Sequence, residues 1–556
     1  MAVEKKNLFT RVVEYHYNRP KPIVQLSDKQ KEREKYIFGV LPFNRWLLFP
    51  SAVLVQFCIG SFYAWSIYNK PIDKAIYGNE NQGMAPITFY ITVGVFGISA
   101  ALMGPWIERH GPRLGVFIGA ILFTLGHYLT AVGIHFQSIW VVYIGYGVFG
   151  GFGIAITYIS PVSTLQKWFP NHRGLSGGFA VCGFGAGSVA FGQIPLPIIK
   201  SVGLPLNFVI IGSMFFVILT LQCFILRVAP DSMSSSTTSG NISSESVDQE
   251  MGSPVIEEEN YIPSVNDKTI TQSLLSKEFR LLYIVFLANS MFGLIALSRL
   301  SNMIQDIFGK SKETAAMVVT VNGIFNLTGR LGFALLSDKI GRKPCYIITL
   351  SAQAIIVGIL PSLVENRSSS AFIALIWLLT SAYGGGFGII PGFLTDLFGP
   401  KKVSTCHGII LTAWSVSGIF GGVIFTEIMN ALKHSGYTVH DPIIYTTNFH
   451  WIICIILIGW ICIWFVQTNE RDILTPPIKG QTFKIRLTSS ILLRISTTKG
   501  FERVSQEQQD LEWKQYCEDY KQKKLQELND NTNNDTEQQI HPPTINDNAS
   551  DLMAQA

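Results

Sequence analysis

A single arginine lies inside an apolar segment of this chain, and its neighbours make it a candidate for binding a solute. Arg330 belongs to the run AAMVVTVNGIFNLTGRLGFALL at residues 315–336, which is long enough to cross a bilayer as a helix. Asn322, Asn326 and Arg330 recur at four-residue intervals, so they form a polar stripe roughly 12 Å long on one helix face. An arginine at this depth costs roughly 2.5–3.5 kcal/mol to insert and normally faces an interior site. We therefore predict that Arg330 holds an anionic solute; the alternative is a structural arginine bonded to backbone carbonyls or a neighbouring helix.

Aromatic residues with polar ring atoms form a second group of candidates. Tyr63 and Trp65 lie in the first apolar block and Tyr158 lies in the fourth. Hydroxyl or indole donors beside a buried anion would stabilise it, whereas ordinary packing is the alternative for each residue. His127 and His407 also fall within apolar blocks. Each could act as a proton relay, and the alternative is a neutral histidine that is hydrogen-bonded in the bundle.

The composition indicates a membrane protein rather than a soluble enzyme. Only 15% of the 556 residues are charged and 48% are hydrophobic, against about 25% charged residues in a soluble domain. No Cys-x-x-Cys motif, Cys/His ligand spacing, nucleotide-binding motif or catalytic cluster occurs. We therefore expect no metal, no cofactor and no enzymatic activity. The net charge of +5 comes from basic loops, so we relate it to membrane orientation and expect no nucleic-acid partner.

Twelve apolar blocks predict twelve helical crossings of the membrane. The first six lie near residues 46–68, 86–106, 115–134, 138–161, 174–198 and 206–227, and the second six near 280–299, 315–336, 344–364, 371–395, 404–428 and 449–467. The basic segment before the first crossing belongs in the cytoplasm, and an even number of crossings returns the tail there. No apolar region lies near Met1, so we predict no cleavable signal peptide and expect the plasma membrane, with an internal membrane as the alternative.

The crossings divide the chain into five parts. We predict a cytoplasmic segment at 1–45, a six-helix bundle at 46–227, a disordered cytoplasmic linker at 228–277, a second bundle at 278–467 and a largely disordered cytoplasmic tail at 468–556. The linker is rich in Ser and Thr and cannot bury apolar area. Within the tail, the mixed basic and apolar residues 482–495 either bind the inner leaflet of the membrane or form a segment without a partner. Residues 501–528 are expected to form a solvated helix.

The two halves of the chain carry matching motifs. The pentapeptide Gly-Gly-Phe-Gly-Ile occurs at 150–154 and at 385–389, and Pro161 or Pro391 follows. A charged turn follows the second crossing and another follows the eighth. These pairs lie about 230 residues apart, as expected for a duplicated six-helix unit.

The two charged turns resemble the loop signature of the major facilitator superfamily. The first reads Gly-Pro-Trp-Ile-Glu-Arg-His-Gly-Pro-Arg from residue 104, and the second reads Ser-Asp-Lys-Ile-Gly-Arg-Lys from residue 337. The resemblance implies an all-α membrane protein with twelve transmembrane helices in two pseudo-symmetric bundles. It also implies that these charges latch the halves in one state and release them in another. The latch residues are expected to be Glu108, Arg109, Arg113, Asp338 and Arg342.

Further stretches resemble the oxalate–formate antiporter and monocarboxylate transporter branch. They are 60–66, 153–162, 167–175, 326–338 and 398–401. The resemblance implies a transporter of a small organic anion that works by alternating access, with Arg330 and Asn326 at the substrate. Antiporters of oxalate carry a second cation, a lysine, on the eleventh helix. The resemblance places Trp414 at that position here, where we predict that it forms an aromatic wall of the substrate site. A second carboxylate would therefore lack its charge partner, so a monocarboxylate such as formate, lactate or pyruvate fits better.

The coupling mode follows from Asn326. Proton-linked monocarboxylate transporters have an aspartate at this position, and asparagine cannot carry a proton, so exchange or facilitated flux is favoured. We expect the protein to function as a monomer in the bilayer. The alternatives are a carrier of the same fold for a different solute and a membrane sensor that does not transport.

Overall fold

Twelve long apolar helices dominate the structure. This computed structural model describes residues 15–17, 32, 34–37, 39–80, 82–229, 269–476, 478, 480–486, 492–497 and 500–540. Among these residues, twelve helices are long and apolar enough to cross a membrane, which confirms the predicted number. Most of the predicted linker, residues 230–268, lies outside the described residues, as does the end of the tail, residues 541–556.

The first half of the chain contributes six helices and the second half contributes six more. They are α1 (Arg45–Tyr77), α2 (Ala85–His110), α3 (Pro112–His135), α4 (Ile139–Trp168), α5 (Arg173–Phe191), α6 (Leu204–Gln222), α7 (Lys277–Phe308), α8 (Lys312–Ile340), α9 (Arg342–Glu365), α10 (Ser369–Phe398), α11 (Pro400–His434) and α12 (Ile443–Trp464). Short helices at Pro195–Val202 and Ile270–Leu274 and two-residue strands at Tyr36–Ile37 and Leu41–Pro42 lie between or before them.

Several helices extend beyond the apolar blocks that predicted them. The first predicted crossing ends at residue 68, but α1 continues through the polar turn-forming residues to Tyr77. The seventh ends at residue 299, but α7 continues to Phe308, where Gly309 ends it with a φ of 61°. A helix can extend past its apolar segment where its sequence stays amphipathic. Hydropathy detects only the apolar segment, so it predicts helices that are too short in these cases. The fifth is shorter than predicted, because α5 ends at Phe191 and a separate short helix follows.

The two charged turns share one backbone geometry. Gly111 joins α2 to α3 with φ 83° and ψ 168°, and Gly341 joins α8 to α9 with φ 95° and ψ 158°. Residues other than glycine rarely adopt this backbone conformation. The two glycines occupy matching places in the sequence repeat, so the repeat has a structural counterpart.

The two halves meet along two helix pairs, α2 with α11 and α5 with α8. Glycines allow this close approach. A Cβ atom at Gly97 would lie 2.0 Å from Ser415 Oγ, and one at Gly104 would lie 2.7 Å from the carbonyl oxygen of Ser404. A Cβ atom at Gly185 would lie 2.6 Å from the backbone nitrogen of Leu327. Both pairs are therefore in contact along most of their length.

A second compact unit follows the last membrane helix. It contains α13 (Glu470–Leu474), an antiparallel sheet of β1 (Gln481–Arg486), β2 (Leu492–Ser496) and β3 (Gly500–Val504), and α14 (Gln506–Ile540). The membrane-spanning part is all helical, as predicted. The described part of the tail contains a sheet and is folded where the sequence predicted a largely disordered segment. Alternation along β1 places Lys484 and Arg486 on one face, where both bind Asp472. Burial raises the pKa of Asp472, but these cations outweigh burial and hold the pKa below its ordinary value.

Candidate functional site

Arg330 is fully buried near the middle of α8 and donates to three different helices. Its Nε donates to Asn326 Oδ1 at 2.8 Å, one turn earlier on the same helix. Its Nη1 donates to the carbonyl oxygen of Val181 on α5 at 3.1 Å, and its Nη2 donates to Tyr63 Oη on α1 at 3.0 Å. The polar stripe on α8 therefore faces the other half of the protein.

Three aromatic rings surround the guanidinium. Its carbon lies 4.8 Å from the ring centre of Phe387, 5.3 Å from that of Phe184 and 5.5 Å from that of Tyr63. Cation–π attraction of this kind is stronger in a site without water. The rings hold the charge in a low-dielectric environment, where its interaction with an anion is strengthened.

Arg330 has no carboxylate partner among the described residues. A guanidinium carries five N–H donors, one on Nε and two on each terminal nitrogen. The three hydrogen bonds above use one donor on each nitrogen. One N–H on each terminal nitrogen therefore lies outside these three hydrogen bonds, with Tyr158 Oη close to the guanidinium. Buried charges are normally paired, whereas this guanidinium is balanced by hydrogen bonds and aromatic rings.

A chain of hydroxyl groups extends from Arg330 across the site. Tyr63 Oη lies 2.7 Å from Tyr383 Oη, and Trp414 Nε1 donates to Tyr383 Oη at 3.1 Å. Arg330 and Trp414 are donors only, and each tyrosine brings one hydroxyl hydrogen. Four donor groups thus share three hydrogen bonds. Whichever tyrosine donates to the other, one hydroxyl hydrogen is left without an acceptor among these groups.

Other buried donors at the site are also unsatisfied. Asn326 Nδ2 is buried and has no hydrogen-bond partner among the described residues, and the same is true of Tyr158 Oη. Tyr158 Oη lies near the guanidinium of Arg330. We call Arg330, Asn326, Tyr63, Tyr383, Trp414 and Tyr158 the Arg330 site. Its donors outnumber its acceptors, so the arrangement can stabilise a negatively charged group.

The structure brings together most of the predicted substrate residues. Arg330, Asn326, Tyr63, Tyr158 and Trp414 all belong to the Arg330 site, and their role in binding stays a prediction.

Trp65 differs from these residues. It donates to the carbonyl oxygen of Ala85 at 3.3 Å and packs 4.3 Å from the ring of Tyr146. These contacts lie within the first half of the chain, and they match the packing alternative for this residue. Tyr383 is a site residue that the sequence reasoning did not single out, although it lies two residues before the repeated pentapeptide.

The acidic residues of the two charged turns bridge the halves symmetrically. Glu108, at the end of α2, binds Lys167 and accepts from the backbone nitrogen of Ser404 at 3.1 Å. Asp338, at the end of α8, accepts from the backbone nitrogens of Gly174 and Leu175 at 3.0 and 3.2 Å. Each acid therefore interacts with the N-terminal turn of a helix in the other half, where the helix dipole favours negative charge. We call this the charged-turn end of the protein.

The basic residues of the predicted latch divide into two groups. Arg342 binds both Asp338 and Asp396, at 2.8 and 3.0 Å. Asp396 also binds Arg173 of the other half at 2.8 Å. The sequence reasoning did not name Asp396 or Arg173 as part of the latch.

Arg109 and Arg113 have other partners. Arg109 donates to the carbonyl oxygen of His16 at 2.6 Å, and Arg113 forms an ion pair with Glu34 at 2.5 Å. In these contacts both arginines hold the segment before α1 rather than the interface between the halves. The reason is that the N-terminal segment supplies acceptors, which the two turns alone could not reveal.

The opposite end is bridged as well. Arg299 on α7 donates to Tyr90 Oη on α2 at 3.1 Å and to Thr426 Oγ1 on α11 at 2.7 Å. Lys70 on α1 forms an ion pair with Asp306 on α7 at 3.4 Å. We call this the Arg299 end. Contacts therefore join the halves at both ends, and Arg330 is fully buried between them.

Comparison with known proteins defines the class to which this fold and site belong. Residues 46–422 match the model of the Major Facilitator Superfamily, and a second match covers residues 282–498. The chain therefore belongs to the Major Facilitator Superfamily of membrane transporters, as its charged turns predicted. It is an integral membrane protein that crosses the bilayer several times.

Individual relatives agree with this assignment. An uncharacterized transporter of the superfamily from Escherichia coli is 27% identical over 376 residues, which are 68% of this chain and 86% of the relative. The oxalate:formate antiporter of Oxalobacter formigenes is 23% identical over 68% of this chain and 84% of the relative. Monocarboxylate transporter 12 of Mus musculus is 22% identical over 71% of this chain and 80% of the relative.

Solved structures support the fold alone. A proton:xylose symporter of the superfamily, bound to 6-bromo-6-deoxy-D-glucose, superposes with a TM-score of 0.56. It is 15% identical, and the match covers 77% of this chain and 98% of that chain.

Proposed function

We propose that this protein transports a small organic anion, a monocarboxylate, by alternating access. The observation that carries the proposal is the surplus of buried hydrogen-bond donors around Arg330. A carboxylate offers about four lone-pair positions on two oxygens. It would accept from the two free N–H groups of Arg330 and from the free tyrosine hydroxyl hydrogen, and it would also neutralise the charge.

The number of fixed cations favours a single carboxylate. Arg330 is the one cation among the described residues of the Arg330 site, and the resemblance to antiporters of oxalate implies that Trp414 takes the place of their second cation. A dianion bound here would leave one carboxylate without a counter-charge, at a cost of several kcal/mol. Formate, lactate and pyruvate meet the charge requirement. The name of the monocarboxylate transporter 12 relative agrees with a single carboxylate, and the name of the oxalate:formate antiporter includes one monocarboxylate, formate.

The two closed ends supply the gates that alternating access needs. Opening the charged-turn end requires the release of Glu108 and Asp338 from the opposing helix ends, and opening the Arg299 end requires the release of Arg299 from Tyr90. Each set of contacts is polar, so these hydrogen bonds and ion pairs can be exchanged for water when one half rotates against the other. We place the charged-turn end and both termini in the cytoplasm because basic residues concentrate there, and we place the protein in the plasma membrane.

Counterflow in liposomes tests the proposal. Purified protein is reconstituted into liposomes loaded with unlabelled formate, lactate, pyruvate or oxalate, and uptake of the same labelled acid is measured. We expect that at least one monocarboxylate stimulates uptake and that oxalate stimulates it least. Flux of neutral sugars without any flux of carboxylates would support the carrier of a different solute. Ligand-dependent thermal stabilisation without any flux would support the sensor.

A further inference from the structure

His407 on α11 is buried without any hydrogen bond. The residue is 1% exposed, and neither ring nitrogen has a partner among the described residues. His127, the comparable buried histidine of α3, differs because its Nδ1 lies 2.8 Å from the carbonyl oxygen of Phe123. A neutral imidazole carries one donor and one acceptor, and buried polar groups in native proteins are normally satisfied. His407 therefore has an unfilled capacity for both kinds of hydrogen bond.

Tyr158 connects His407 to the Arg330 site. The ring centres of Tyr158 and His407 lie 5.8 Å apart. The ring of Tyr158 also packs 5.7 Å from Phe184, which lies directly beside the guanidinium of Arg330. Tyr158 Oη has no hydrogen-bond partner among the described residues either. The polar groups that lack hydrogen-bond partners thus form a row from Arg330 through Tyr158 to His407.

The spacing along α11 sets the length of this row. His407 precedes Trp414 by seven residues, which corresponds to about 10 Å along a helix. Trp414 belongs to the Arg330 site through Tyr383, so His407 lies about two turns from that level, towards the charged-turn end. A solute as short as formate cannot reach from Arg330 to His407.

We propose that the solute has a second, uncharged hydrogen-bonding group, which binds to His407 while its carboxylate binds to Arg330. This inference rests on the proposed function and specifies the substrate class as hydroxy- or oxo-monocarboxylates of about four to six carbons. The second group is uncharged because the described residues at His407 and Tyr158 supply no fixed cation to pair with a second carboxylate. A hydroxyl group suits His407 best, because it can donate to a ring nitrogen that accepts or accept from one that donates, whichever tautomer faces it.

A length series of labelled acids tests the proposal in liposomes with the full-length protein. Counterflow of 4-hydroxybutanoate, 5-hydroxypentanoate and 6-hydroxyhexanoate is compared with that of butanoate, pentanoate and hexanoate. At one length, we expect the hydroxy acid to be preferred by about tenfold, because the plain acid leaves buried polar groups unpaired. His407→Leu should abolish this preference, and His407→Gln should retain part of it, since an amide both donates and accepts.

The ratio of the two acids is measured within each variant, so a lower amount of folded protein does not affect it. His127→Leu serves as the matched control because it also removes a buried histidine, and its ratio should equal that of the wild type. Equal transport of hydroxy and plain acids at every length would overturn the proposal, as would a His407→Leu variant with an unchanged ratio. If the wild type transports formate, lactate or pyruvate but none of the six longer acids, this proposal fails and the proposed function stands. If it transports no monocarboxylate at all, both fail, so the two failures are distinguishable.

Discussion

Replacing Arg330 by lysine keeps the positive charge of the site but removes the donors that a solute requires. Arg330 uses three of its five N–H groups for Asn326, Val181 and Tyr63. A lysine ammonium has three N–H groups in total, so satisfying the same three acceptors would leave none for the solute. The planar fork that matches a carboxylate is also lost.

The expected size of the effect follows from the hydrogen bonds that disappear. A hydrogen bond to a charged group contributes about 1.5–3 kcal/mol. Losing only one of the two bonds to the carboxylate therefore weakens binding about 10- to 150-fold. Arg330→Ala removes the charge as well and should abolish transport, although the protein should still reach the membrane.

The dissociation constant of a transported monocarboxylate, measured by titration of purified protein, provides the assay. Arg299→Lys is the matched control, since it changes another buried arginine whose hydrogen bonds are at the Arg299 end. We expect its dissociation constant to stay within about twofold of the wild-type value. Binding and uptake of every tested anion at wild-type levels by Arg330→Ala would refute the assignment of this residue.

Three further predictions concern other parts of the molecule. Trp414→Lys adds a second cation to the Arg330 site and should raise the ratio of oxalate to formate counterflow about tenfold, and an unchanged ratio would count against the single-cation argument. Asp338→Asn weakens the contacts with the start of α5, by about 1 kcal/mol for a partly exposed group, so hydrogen exchange there should rise about fivefold, and unchanged exchange would show that the acid is no latch. Asp472→Asn should destabilise the C-terminal unit by about 3 kcal/mol at pH 7, measured as faster proteolysis within residues 480–505. The pKa of Asp472 lies below its ordinary value of about 3.9. Its contribution to the stability of the C-terminal unit is therefore complete above about pH 3.9 and is lost as the pH falls through the lowered pKa. The difference in stability between variant and wild type should vanish in strong acid.

Much of the membrane fold could be predicted because the bilayer restricts the possible structures. Apolar blocks of about 20 residues must be helices there, so the number of crossings followed from hydropathy. Hydropathy did not predict where the helices end, because caps such as Gly309 and amphipathic extensions depend on local hydrogen bonds. The folded C-terminal unit was missed for a different reason. Its covered sheet face carries charges, among them Lys484 and Arg486, so the usual apolar signal of a core is weak.

The Arg330 site shows a similar division. Arg330 and Asn326 stand out because polar residues are costly within an apolar helix, and their spacing places them on one face. Tyr383 gives no such signal, because a tyrosine in an apolar block usually packs or lies at an interface. Its role in the hydroxyl chain depends on the way α1 and α10 meet, which requires coordinates. The partners of Arg109 and Arg113 required them too, since the acceptors come from the segment before α1.

The distance between the carboxylate of a bound solute and the guanidinium of Arg330 tests the central claim most directly. Solid-state NMR can measure it with a solute labelled with ¹³C at the carboxylate and protein labelled with ¹⁵N at the arginine side chains. The Arg330 resonances are assigned beforehand, without solute, as those missing from the spectrum of Arg330→Lys. For charge-assisted hydrogen bonds of about 2.7–2.9 Å, the carboxylate carbon should lie within about 4 Å of both terminal nitrogens. A bound solute whose carboxylate carbon lies beyond about 6 Å from these nitrogens, too far for a direct hydrogen bond, would contradict the account.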